Sequence, residues 1–224
     1  ARITEKTGGN PFFIEELCRT LVEEGTIGVA GGEAFVNGSL DRLTIPDTVQ
    51  AVLKTRLDRL DPEAREVLRS ASVIGRAFGH SVLARVVPSA SRLPTALDAL
   101  RSSGLIQRTG LVPEATYRFK HALTLDVAYD SLLERQRKER NLLVGQALED
   151  LHADDLDAHA ARLSRHFAAA ESWDRAVRYG RLAAQRAAAL WRLDEAVSTL
   201  ERTRSWVMHL DQPPELRDRT LVEL

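Results

Sequence analysis

The sequence predicts a mainly α-helical protein that carries two small β-hairpins before residue 120. Three observations support this fold class. Apolar residues recur at helical spacing through most of the chain. Two of these segments begin at an Asn-Pro or Asp-Pro pair and end at a glycine. Residues 158–189 hold twelve alanines in 32 positions, and small residues at that density let helices approach closely.

The first helix is predicted to begin at Asn10-Pro11 and to end at Gly25. Asn is a good N-cap, and Pro at the first helical position gives up only an N–H that would lack a partner anyway. Residues 26–36 combine short apolar runs with a central Gly31-Gly32 pair, which predicts a β-hairpin. The stretch Asn37-Gly38-Ser39 ends this hairpin.

The next segments alternate helix signals with turn signals. An Asp-Pro pair marks a helix start and a glycine marks its end. The expected elements are a helix from Pro46-Asp47, a helix from Asp61-Pro62 to Gly75, helices over 80–87 and 93–103 with Gly104 as C-cap, and strands over 105–109 and 116–119. Three helices followed by a β-hairpin is the order of a winged helix, a variant of the helix-turn-helix.

From His121 onward the sequence predicts helices alone. Residues 121–133 form one expected segment, with Leu125, Tyr129, Leu132 and Leu133 facing inward. The charged run 134–140 is expected on a solvated helix side, with a phosphate- or partner-binding strip as the alternative, and an apolar stripe that includes Leu143 follows it. The phrase Trp-Asp-Arg-Ala-Val at 173–177 is echoed by Leu-Asp-Glu-Ala-Val at 193–197. These phrases resemble tetratricopeptide-type repeats. The spacing of 20 leaves open whether they begin two helices of one unit, and an ordinary helical bundle is the alternative.

Composition excludes several classes of function. Lys and Arg number 31 against 32 Asp and Glu, so the net charge of −1 removes the global electrostatic case for a nucleic-acid or anionic-membrane binder. The apolar stretches fall far short of the roughly 20 residues of a membrane helix. The single Cys18 cannot form an internal disulfide, which favours a reducing compartment, the cytoplasm. The N-terminus lacks both Met and a secretory core, so we expect a piece of a longer protein.

The chain carries none of the common catalytic motifs. None of its four lysines follows a glycine, so the G-x-x-x-x-G-K-[ST] phosphate loop cannot form, and the GxSxG and HExxH patterns are absent. We therefore expect no enzyme activity from these residues alone. His152, His159 and His166 recur every seven residues. On one helix they would lie about 10 Å apart, too far to share a metal ion, so we expect them on a polar face.

The winged-helix order raises the question of DNA binding. The expected recognition helix offers Arg101 and the flanking Arg92, but also Asp98. The wing region adds Arg108, Arg118 and Lys120. Phosphate neutralisation supplies much of the affinity for duplex DNA and needs a dense basic face. The sequence therefore disfavours DNA binding.

Three phrases carry a family resemblance. They are TGGNPFFIEEL at 7–17, IPDTVQAVL at 45–53, and FKHAL at 119–123 continuing to Tyr129. In this order they resemble the region that follows the ATPase core in STAND-class signalling ATPases of the AAA+ superfamily. Bacterial proteins with an adenylate/guanylate cyclase domain ahead of the ATPase are similar, as are large LuxR-type regulators.

The resemblance implies three domains. Residues 1–40 would be the end of an ATPase lid with a β-hairpin, residues 41–120 a linking helix and winged-helix domain, and residues 121–224 a TPR-like helical repeat region. It further implies a non-catalytic regulatory segment of an ATP-dependent signal-transduction switch. This segment would cover the nucleotide site of an upstream P-loop ATPase domain in the same protein, while its repeats would receive a protein or small-molecule signal.

The resemblance also implies site residues. A Gly-x-Pro element of the lid packs against the adenine in such proteins, and the matching residues here are Gly9, Asn10 and Pro11. The exposed N–H groups of a helix start also suit a polar or anionic neighbour. A His in a Met-His-Asp-like phrase contacts the β-phosphate, so His121 is the candidate, with Lys120 and Ala122 in place of the apolar and acidic flanks.

Simpler interpretations of these residues stay open. Asn10-Pro11 is a good helix start with or without a nucleotide, and His121 could simply cap the helix that begins there. ATP or ADP with Mg would be bound by the longer protein and not tightly by these residues. Two other classes of function compete with the switch: a transcription regulator whose winged helix reads DNA, and a scaffold whose TPR-like repeats bind peptides.

Overall fold

The computed structural model describes residues 7–30, 33–37 and 48–211 of the 224-residue chain. Over these residues the protein is mainly helical with two small sheets, which confirms the predicted fold class. The helices are α1 Pro11–Glu23, α2 Val49–Arg59, α3 Pro62–Ile74, α4 His80–Val86, α5 Leu93–Ser102, α6 Ala122–Asp130, α7 Glu134–Leu151, α8 Leu156–Ala169, α9 Trp173–Ala189 and α10 Leu193–Val207. The strands are β1 Ile27–Ala30, β2 Glu33–Val36, β3 Ala77–Gly79, β4 Ile106–Gly110 and β5 Thr116–Phe119.

Helix α1 and the hairpin after it form where the sequence predicts. The α1 N-cap is Asn10, and Gly25 follows the helix with a left-handed φ of 70° that glycine adopts without strain. Strands β1 and β2 pair antiparallel with Ile27 opposite Val36. The Gly31-Gly32 pair and residues 38–39 lie outside the described residues.

Helix α2 lies against α1. Its N-cap is Thr48, whose hydroxyl accepts a hydrogen bond from the Ala51 amide at 3.2 Å. The predicted start at Pro46-Asp47 lies outside the described residues. A small buried cluster joins the two helices through Phe13, Leu17, Leu21 and Val52. This cluster is separate from the main core.

The elements from α3 to β5 form a compact unit with a three-stranded sheet. Helix α3 runs from Pro62 to Ile74 between Asp61 and Gly75, as predicted. The sequence analysis missed β3, which pairs with β5 and gives the strand order β3-β5-β4. Only Phe78 of its three residues is buried, so the strand is too short to show an alternating apolar pattern.

The predicted segment 121–133 ends earlier than expected, because α6 stops at Asp130. Leu132 takes the buried position, whereas Leu133 is 71% exposed and begins α7 as its N-cap. Leu143 is also exposed, since the buried side of α7 runs through Asn141, Val144 and Leu148. The prediction that Leu133 and Leu143 face inward was therefore wrong.

The two echoing phrases begin successive helices, α9 and α10, through the same kind of turn. Glu171 and Trp191 precede them with left-handed φ values of 57° and 58°. In both turns the next amide reaches back to the end of the preceding helix: Ser172 donates to the Phe167 carbonyl and Arg192 to the Ala187 carbonyl, each at 2.9 Å. Both are Schellman-type helix ends, so the period of 20 residues spans one helix and its turn.

The main core is continuous from the end of α2 to α9. Its fully buried members include Leu68 in α3, Phe119 in β5, Leu148 in α7 and Phe167 in α8. Helices α7 and α8 approach closely at Gly145, where an added Cβ atom would lie only 2.7 Å from the Phe167 ring. None of the described helices combines the length and apolar character needed to cross a membrane.

Candidate functional site

The structure brings the start of α1 and the start of α6 together. The Phe12 and His121 rings are in contact, with centroids 4.0 Å apart and planes inclined by 33°. Phe12 follows Pro11 directly in α1, and His121 is the residue before α6. The two parts of the candidate site, distant in sequence, therefore share one surface.

The turn before α1 depends on two glycines. Gly8 and Gly9 have φ values of 58° and 74°, which other residues adopt only with strain. The Asn10 amide closes the turn by donating to the Thr7 carbonyl at 3.0 Å. Gly9, Asn10 and Pro11 are exposed, so the flat ring of Pro11 is free to pack against a planar ligand.

The amides at the start of α1 already have a partner. The side-chain Oδ1 of Asn10 accepts from the Phe12 amide at 3.0 Å and from the Phe13 amide at 3.3 Å. The next amide, that of Ile14, donates to the Asn10 carbonyl. The expectation that exposed N–H groups at this helix start suit an anion was therefore wrong, and the surface contributes an apolar ring and glycine backbone instead.

His121 occupies the N-cap position of α6, but its side chain makes no capping hydrogen bond. The imidazole lies against Phe12 instead, and its Nε2 is buried without a hydrogen-bond partner among the described residues. A buried polar atom without a partner costs about 1–3 kcal/mol. The simpler interpretation is therefore right about the N-cap position of His121, but no side-chain capping hydrogen bond forms, and the structure gives Nε2 no stabilising role.

Ion pairs hold α1 against the unit from α3 to β5. Lys120 Nζ lies 2.5 Å from Glu15 Oε1, and this hydrogen bond is the main cause that lowers the pKa of Glu15. Beneath it the buried Arg56 pairs with Glu16 and donates to the Ser103 carbonyl at 2.7 Å. The sequence analysis missed this cluster, because nothing local marks Glu16 as a buried carboxylate.

The cations considered for DNA contact are largely paired. Arg101 lies 2.8 Å from Asp98, and Arg92 pairs with Glu63. Lys120 is occupied by Glu15, as described above. Within the described ranges Arg108 and Arg118 are exposed without an ion pair. Two such cations are few for a face that binds the phosphates of duplex DNA.

The three spaced histidines do not lie on one helix. Helix α7 ends at Leu151, so His152 folds back and stacks on His159 with ring centroids 3.6 Å apart. His166 is buried and its Nδ1 lies 2.9 Å from Asn141 Oδ1. The expectation of a common polar face was wrong for His166. Over residues 7–30, 33–37 and 48–211, no three His, Cys, Asp or Glu side chains group as metal ligands.

Comparisons with known proteins give one informative similarity. No family model matches the chain, and no solved structure matches it. The chain is 31% identical over 140 residues to an uncharacterized protein of Rhizobium meliloti (strain 1021). The aligned region covers 59% of this chain and 12% of that relative, so the chain spans a small part of a much longer protein.

Proposed function

We propose that this chain is a regulatory, non-catalytic segment of an ATP-dependent signalling switch. In this proposal the start of α1 and the start of α6 face a nucleotide that a separate P-loop ATPase domain of the same protein binds with Mg. The contact between Phe12 and His121 carries the proposal, because it places Pro11 and His121 on one surface. These are the positions that the STAND-class resemblance assigns to adenine and phosphate.

The topology from α3 to β5 supports a winged-helix unit. Its order is helix, strand, helix, helix and hairpin, and the first strand pairs with the last. Helices α7 to α10 support a TPR-like array, because each packs on its neighbour in sequence and the turns before α9 and α10 match. The array is the proposed receiver of a protein or small-molecule signal.

The unpaired Nε2 of His121 supports a two-state device. In the arrangement seen here the atom is covered and has no partner in the described part of the chain, which disfavours this arrangement by the cost of one lost hydrogen bond. A movement of α1 away from α6 would uncover Nε2 and let it bind a phosphate oxygen. A nucleotide that binds the uncovered state better would shift the population toward that state.

The test uses the longer protein that contains this region and measures ADP affinity by calorimetry. His121→Phe keeps an aromatic ring against Phe12 and removes both ring nitrogens, so we expect a loss of at least tenfold in ADP affinity. Pro11→Ala should weaken ADP and adenosine alike, since it removes a contact to the base. Arg118→Gln is the control, because Arg118 is exposed on β5 without an ion pair in the described structure.

Two results would overturn the proposal. One is that the His121→Phe and Pro11→Ala variants bind ADP as tightly as the Arg118→Gln control does. The other is micromolar ATP binding by the present 224-residue chain, which has no phosphate loop. An anisotropy titration with duplex DNA at low salt tests the competing class, and sequence-selective binding with a steep salt dependence would favour it.

A further inference from the structure

A second candidate site lies where the corner between α3 and β3 meets α6, α7 and α8. A cavity of about 470 Å³ opens there, a volume in the range of small-molecule sites. Its walls include three arginines, Arg76 from the α3–β3 corner and Arg162 and Arg165 from α8. Tyr129, Asn141 and His166 provide the remaining polar surface.

The arginines of this cavity have no acidic partner among the residues that the structure describes. No Asp or Glu lines the cavity, and none of the three arginines forms an ion pair within the part of the chain that the structure describes. Arginines nearby behave differently: Arg140 pairs with Glu66, and Arg175 lies 3.1 Å from Glu149. Burial and the neighbouring charge of Arg165 lower the pKa of Arg162, so uncompensated positive charge collects at this wall.

His166 adds a titratable side chain to the same wall. Asn141 Nδ2 donates to the Arg137 carbonyl at 2.8 Å, which leaves Asn141 Oδ1 as an acceptor for His166 Nδ1. The neutral imidazole therefore carries its proton on Nδ1 and has a free lone pair on Nε2. An anion in the cavity would favour protonation of Nε2, because the imidazolium could then donate to it.

We infer that this cavity binds a small oxyanion ligand, one that carries a phosphate or a carboxylate group. Guanidinium groups match the planar or tetrahedral oxygens of such ligands through paired N–H donors. The ligand would neutralise Arg162 and Arg165 and contact both the α3–β5 unit and α8. This inference is independent of the proposed nucleotide surface, which lies at α1 and α6.

The test titrates the 224-residue chain with sodium pyrophosphate and, separately, with sodium succinate at constant ionic strength. We expect one-site binding with Kd below about 1 mM for at least one of the two probes. Binding of pyrophosphate alone identifies a phosphoryl ligand, and binding of succinate alone identifies a carboxylate ligand. Arg162→Gln should weaken the binding at least tenfold, whereas the control Arg204→Gln, an exposed position on α10, should leave it unchanged.

A second variant and a spectroscopic signal separate binding from folding. Ala169→Glu adds a carboxylate at the cavity wall and should abolish binding while the thermal unfolding midpoint is kept or raised. The His166 ring signals in NMR should titrate at higher pH when the probe is bound. The inference is overturned if neither probe binds at roughly 10 mM, or if Arg162→Gln and Ala169→Glu both bind as well as Arg204→Gln.

Discussion

At the scale of single residues, the buried pair of Arg56 and Glu16 is the strongest test of how α1 is attached. Both side chains are almost fully buried, at 2% and 3% exposure. Arg56→Met should lower the free energy of unfolding by about 3–5 kcal/mol, because it leaves the Glu16 charge buried without its partner. Urea unfolding followed by circular dichroism measures this loss, and Glu16→Leu combined with Arg56→Met should recover much of it.

Helix α2 offers a matched control one turn away. Arg59 lies 2.7 Å from Glu24, but these side chains are 49% and 32% exposed. Because water screens this pair, Arg59→Met should cost less than about 1 kcal/mol. Equal losses for Arg56→Met and Arg59→Met would contradict the assignment of Arg56 as the buried anchor of α1.

His166 should make the stability depend on pH. Burial lowers its pKa from the ordinary 6.5 to about 4, and the charges of Arg162 and Arg165 act in the same direction. The unfolded chain therefore binds the proton more readily, so the stabilisation is fully present above pH 6.5 and is lost as the pH falls toward 4. The loss should reach about 3 kcal/mol on the basis of 1.36 kcal/mol per pKa unit.

The measurement compares urea unfolding of the wild type and of His166→Gln at pH 7, 5.5 and 4.5. His166→Gln cannot titrate, so the stability difference between the two proteins should change sharply between pH 6.5 and 4.5. Other groups titrate equally in both proteins and cancel in the difference. Parallel stability curves for the two proteins would show that His166 is not held neutral in the folded state.

At the scale of elements, the turns before α9 and α10 contain a strain that substitution can remove. Trp191 has a φ of 58° and is 86% exposed. Its side chain therefore gains little packing energy to offset the cost of the left-handed backbone conformation. Trp191→Gly should raise the free energy of unfolding by about 0.5–1 kcal/mol. Ala188→Gly, at an exposed helical position, should instead lower the free energy of unfolding by about 1 kcal/mol. Thermal unfolding measures both variants, and midpoints that shift in the same direction would contradict the presence of strain at Trp191.

Elements with strong local signals were predictable from the sequence, and short or context-dependent ones were not. The Asn10-Pro11 and Asp61-Pro62 pairs fix the starts of α1 and α3, because N-capping is a property of a few neighbouring residues. Strand β3 was not predicted, because its strand conformation depends on pairing with β5, which is distant in sequence. The end of α6 also escaped prediction, since the exposure of Leu133 depends on where α7 begins.

At the scale of the whole molecule, contacts between distant segments decide what can be inferred about the sites. The sequence analysis singled out Pro11 and His121 separately, but the Phe12 ring that joins them follows only from tertiary packing. The arginine cavity was not predicted at all, because Arg76 lies far along the chain from Arg162 and Arg165. Local sequence patterns also do not show that these arginines lack acidic partners, and the inference of an anion site depends on that property.

The continuous core makes a prediction about cooperativity. All three tryptophans, Trp173, Trp191 and Trp206, lie in or beside α9 and α10, so their emission reports on that end of the molecule. Leu68 in α3 is fully buried in the core that extends to α9. Leu68→Ala should cost about 2–5 kcal/mol and lower the urea midpoint seen by tryptophan emission as much as that seen by circular dichroism.

Val52→Ala is the control for this experiment, because Val52 is equally buried but belongs to the separate α1–α2 cluster. It should leave the tryptophan midpoint near the wild-type value, since the main core does not include it. If Leu68→Ala also left the tryptophan midpoint unchanged, the helices from α7 to α10 would unfold independently of the α3–β5 unit. A signal that the proposed function assigns to these helices could then not reach α1 through the packed core, and the proposed switch would need another route.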